Sequence, residues 1–163
     1  MQRGPLDRNE VAGLIRAEFA EAPRLGPTEE VGWEFSDEDF DEFRGRDWRE
    51  IEHEQLRHMA NNLLWVHRRA IRYFMPALLL AALDDTDIRN MVVWYLDPDR
   101  YSEKVRSEIR ANFQTFSLGE RWAVRAFLEH IRDNMASRQE DAQSALAHYW
   151  HDLGGLEPRG ETG

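Results

Sequence analysis

Apolar residues recur at spacings of three and four along nearly the whole chain, and no stretch alternates with a period of two for long enough to build a sheet. That pattern restricts the chain to helices. At 163 residues the length fits one domain, and a domain of this size buries about 70% of the surface its unfolded form exposes. The expected fold is an all-α, single-domain bundle of about six to eight helices over residues 1–153, with 154–163 a flexible tail.

Capping signals place the helix starts. Asp7 and Glu10 precede Val11, Leu14, Ile15 and Phe19, which share one face, and Pro23, Gly26 and Pro27 end that helix. Ser36 to Phe43 is capable of a short helix. Asp47 and Glu50 repeat the capping pattern and predict a helix to about Leu64, with Trp48, Ile51, Leu56, Met59 and Leu63 inward. Residues 68–83 turn apolar on all sides from Tyr73 onward, which marks a central element. Pro76 lies within it. Proline lacks an amide hydrogen and clashes one turn back, so this helix is expected to be kinked or broken near Pro76. Asp84, Asp85, Thr86 and Asp87 form a turn, and Ile88 to Leu96 a short helix. Ser102 opens a helix carrying Val105, Ile109 and Phe113. Ser117, boxed by Glu120, opens one with Val124, Phe127, Leu128, Ile131 and Met135 inward. A last helix from Gln139 to Leu153 buries Leu146, Tyr149, Trp150 and Leu153, then stops at Gly154 and Gly155.

Charge is spread unevenly. Between Arg24 and Arg44 lie Glu29, Glu30, Glu34, Asp37, Glu38, Asp39, Asp41 and Glu42, with no basic residue among them, interleaved with Trp33, Phe35, Phe40 and Phe43. Crowded like charges lower stability, and aromatic rings are the residue type that anchors interfaces. These twelve residues are therefore the candidate surface for a basic protein partner. The formal net charge of −10 makes nucleic acid a poor partner. The longest uncharged apolar stretch, Tyr73 to Leu83, has eleven residues, against about 20 for a membrane-spanning helix. No membrane span is expected. The absence of cysteine removes disulfides, thiolate metal sites and thiol nucleophiles. Met1 to Glu10 has no apolar run resembling a secretory signal, so cytoplasmic residence is the expectation.

Motifs for chemistry are missing. His53 and His58 are five apart, about 140° round a helix, and so do not share an ion. Glu50 and His53 have the spacing of di-iron bundles, but no second copy exists. Ser36, Ser102 and Ser117 precede helices and read as caps, and none sits in a nucleophile elbow. Asp84, Asp85, Asp87, Asp97 and Asp99 read as caps and turns, because the calcium-loop order is absent. No catalytic residue, metal site or cofactor is expected.

Trp48, Leu56, Trp65, Ala70, Tyr73, Phe74, Pro76, Ala77, Leu79 and Leu83, followed by Phe116, Ala123, Val124, Phe127 and Leu128, resemble a family of small bacterial helical proteins without an assigned function. The resemblance covers residues 11–132, and its most telling part is the aromatic pair and proline feeding an apolar helix, Ala70 to Leu83. Where members carry a small or proline-containing turn before the aromatic pair, this chain has His67, Arg68 and Arg69. The resemblance implies a fold and no chemistry.

These features favour a non-enzymatic, acidic binding protein that engages a basic protein partner, an immunity protein neutralising a toxin being one form of it. The alternative is an enzyme or small-ligand binder with a pocket near His67, Arg68, Arg72, Tyr73 and Pro76, where cations, a phenol and a helix irregularity would converge.

Overall fold

The computed structural model describes residues 6–33 and 37–152, with the side chains of Asp37, Glu38, Ser137 and Asp152 left aside. The described residues form seven α-helices: α1 (Arg8–Glu18), α2 (His53–Ala60), α3 (Arg68–Asp84), α4 (Thr86–Tyr95), α5 (Glu103–Gln114), α6 (Leu118–Asn134) and α7 (Gln139–His148). Short 3-10 turns connect several of them, and the one strand-like feature described is a bridge between Gly32 and Val66. The fold is all-α, as the periodicity requires. Two compact units divide the chain: one formed by Met1–Ala20 with Val93–Gly163, the other by Glu21–Val92.

In the discontinuous unit, α6 packs against both α1 and α7. Asp7 caps α1 by accepting the Glu10 amide at 2.8 Å, and Val11, Ile15 and Phe19 are buried. Ser117 and Glu120 form the expected reciprocal box at the start of α6. An aromatic cluster fills the interior. Phe113 lies 4.9 Å from Trp150, 5.6 Å from Tyr95 and 5.8 Å from Phe116 between ring centroids, and Phe19 meets Phe116 edge-on at 5.9 Å. Two of its polar tips are satisfied: Trp150 Nε1 donates to Leu96 O at 2.8 Å and Asn112 Nδ2 donates to the Tyr95 hydroxyl at 3.1 Å.

In the contiguous unit, α3 is the most buried helix. Ala70, Ile71, Tyr73, Phe74, Met75, Pro76, Ala77, Leu78, Leu79, Ala82 and Leu83 are all buried. Of the two outcomes expected at Pro76, a kink or a break, the break does not occur: α3 runs as one helix from Arg68 to Asp84 with Pro76 inside it. An internal proline costs about 3 kcal/mol, whereas each large apolar side chain buried contributes about 1.5–3 kcal/mol. Packing around the second half of α3 outweighs the missing backbone bond. At its end Arg89, itself buried, donates to Ala82 O and Leu83 O, both at 2.9 Å, satisfying carbonyls that the helix leaves open.

One further expectation is corrected. The helix predicted from Asp47 to Leu64 is three pieces: a 3-10 turn at Trp48–Glu50, α2, and a 3-10 turn at Leu63–Trp65. Asp47 does accept the Arg49 amide at 2.9 Å, but Ile51 is extended, with ψ 130°. A second start follows, where the Glu52 amide donates to the Gln55 side chain at 3.0 Å.

Candidate interaction surface

The acidic segment is fixed from within by two of its own rings. Asp37–Phe43 is a 3-10 stretch interrupted at Phe40. Phe40 and Phe43 nonetheless turn to one side, their ring centroids 6.1 Å apart. They are 1% and 0% exposed. Phe43 meets Phe74 of α3 at 5.5 Å, and Phe40 lies 5.6 Å from the His58 ring. His58 Nε2 donates to Asp39 O at 3.1 Å, binding the segment to α2. Both phenylalanines are therefore core residues and leave the set of candidate anchors.

The carboxylates divide. Asp41 pairs with Arg44 at 3.0 Å, and Glu29 pairs with Arg69 while accepting the Gly26 amide at 3.1 Å. Glu30, Asp39, Asp41 and Glu42 are exposed. Glu34 and Phe35, and the side chains of Asp37 and Glu38, fall outside the described residues.

Trp33 takes a different position. Its amide donates to Trp65 O at 3.0 Å and the His67 amide donates to Val31 O, enclosing the Gly32–Val66 bridge. Trp33 and Trp65 are thereby opposite one another, and opposite residues of an antiparallel pair share a face with their Cβ atoms about 4.5–5.5 Å apart. The Trp33 ring also lies 5.0 Å from that of His67. Trp33 is 41% exposed, Trp65 57% and the adjoining Leu64 45%. Five large apolar residues are exposed among those described, and three of the five gather at this bridge. Trp65 and Leu64 were absent from the sequence-based surface. The signal for them was the run Leu63-Leu64-Trp65-Val66, which is too continuous for one helix face: with Leu63 and Val66 buried, the two residues between them turn outward.

Of the residues named for the alternative pocket, Arg68 and Tyr73 do not share a face. Arg68 and Tyr73 are five apart on α3, about 140° round its axis. Tyr73 is buried, its hydroxyl accepts the Trp48 amide at 3.2 Å, and burial pushes its pKa up. Pro76 is in the core, Arg68 is exposed, and His67 caps α3 by accepting the Arg69 amide on Nδ1 at 3.4 Å.

Two polar clusters were not foreseen. Asp85 receives His53 Nε2 at 2.6 Å, an Arg57 nitrogen at 2.9 Å and the Ile88 amide at 3.1 Å. The Arg57 guanidinium first, and then the Ile88 amide, hold its carboxyl well below the usual carboxylate range. In the other unit Asp97 is fully buried, accepting the Ser144 hydroxyl at 2.6 Å, with His148 Nδ1 at 3.2 Å and Arg100 Nε at 3.2 Å. A serine, a histidine and a carboxylate in contact invite comparison with a nucleophile triad. In a triad the hydroxyl and the carboxylate address opposite ring nitrogens. Here Ser144 Oγ also lies 3.2 Å from Nδ1, so both groups meet the same nitrogen, and the serine proton is directed to Asp97. The cluster ties α7 to the turn before α5 and offers no activated nucleophile. No group of three or more metal-ligating side chains occurs among the described residues, and no described helix is long and apolar enough to cross a membrane.

The sequence of this chain matches the family described as "Family of unknown function (DUF6714)" over residues 7–153. The chain belongs to DUF6714. No curated protein and no solved structure matches it. The DUF6714 match extends beyond residues 11–132, where the aromatic pair and proline of α3 had suggested an uncharacterised helical family, and it takes in all seven helices and both sides of the Gly32–Val66 bridge.

Proposed function

We propose that this DUF6714 protein is a non-enzymatic binding protein whose Glu21–Val92 unit engages a basic protein partner. Residues 21–92 contain sixteen carboxylates and nine arginines, a formal −7 out of the whole chain's −10. The observation that carries the reading is the exposure of Trp33 within this excess of negative charge, close in sequence to the exposed Glu30. Charge complementarity speeds encounter and excludes acidic competitors, while a buried ring at the centre of an interface slows release. Phe40 and Phe43 serve the same surface indirectly, by holding the carboxylates of their segment in place. A toxin that the protein neutralises by masking its active site is one partner of this chemistry.

The test is capture of partners from a lysate of the source cells, followed by association kinetics over a range of salt. The reading requires a captured protein that is basic and whose association rate falls steeply with ionic strength. It also requires that rate to drop when Glu30, Asp39, Asp41 and Glu42 are changed together to Arg. A partner that is acidic, or whose rate ignores both salt and the charge reversal, removes the reading.

A further inference from the structure

We draw no further inference here: the strongest candidate, the cavity of about 150 Å³ along α6 and α7 lined in part by Arg125, Glu129, Arg132, Gln143 and Leu146, carries nothing, because its two guanidiniums are already paired with Glu129 at 3.0 Å and with Asp133 at 2.8 Å and nothing in the structure points to a ligand there.

Discussion

Replacing Phe43 by Ala tests whether the acidic segment is held by its own rings. Phe43 is 0% exposed, with the Phe40 ring at 6.1 Å and the Phe74 ring at 5.5 Å and 68°. Truncating a core Phe to Ala costs about 3–5 kcal/mol, and aromatic contacts of this geometry add about 0.5–1.5 kcal/mol each beyond burial. The upper half of the range applies, about 4 kcal/mol. With a urea slope of about 2 kcal/mol per M, the unfolding midpoint falls by about 2 M. Phe43→Leu keeps most of the apolar volume and should lose under about 1.5 kcal/mol. Urea titration followed by circular dichroism measures both variants against the parent. A loss below about 1 kcal/mol for Phe43→Ala, the scale of an ordinary surface change, would mean that the ring is not packed as described, and the account of how the carboxylates are positioned would fail with it.

Asp85 titrates lower in the folded protein than in the unfolded chain. Its contribution is therefore complete above the unfolded carboxyl pKa of about 3.9 and is lost as pH falls toward the folded value. Asp85→Asn should be less stable at pH 7 and should lose stability less steeply below pH 4, as read from urea midpoints between pH 7 and 2.5; parallel profiles for parent and variant would refute the role of the Arg57 contact. Two glycines should respond to alanine with opposite signs. Gly45 has φ 64° and its added Cβ would lie 3.0 Å from Pro27 Cα, so Gly45→Ala should cost about 1–2 kcal/mol. Gly13, inside α1 with nothing within 4 Å of its added Cβ, should gain about 0.5–1 kcal/mol in Gly13→Ala. Thermal melts of the two variants suffice, and equal shifts would show that backbone geometry is not what separates them.

Elements governed by local chemistry were legible in the sequence. The Ser117 and Glu120 box predicted the start of α6, and Val124, Phe127, Leu128 and Ile131 lie inside as their spacing implies. Elements decided by competition were not. Asp47 and Glu50 look like a helix start, yet Glu52 and Gln55 supply a better one, and only packing chooses between them. At Pro76 local strain left a kink and a break open, and with burial along α3 the helix stays continuous. For the surface, composition located the acidic segment but could not say which rings turn inward. Phe40 and Phe43 face α2 and α3, whereas Trp33 is directed outward by pairing with Trp65, 32 positions along the chain. Asp97 and Ser144 are 47 residues apart. Contacts across such separations leave no periodic trace.

The division of the chain bears on how it emerges during synthesis. Residues 21–92 are consecutive, so that unit has all its parts as soon as α4 has been made. Helix α1 is made before that unit but packs on α6, about a hundred residues later. It must wait with Val11, Ile15 and Phe19 uncovered while a complete unit is translated between it and its partner. Helix α1 thus finds its place only after the unit that follows it is complete, and the interval in which it stands open is when the nascent protein has most to gain from a chaperone.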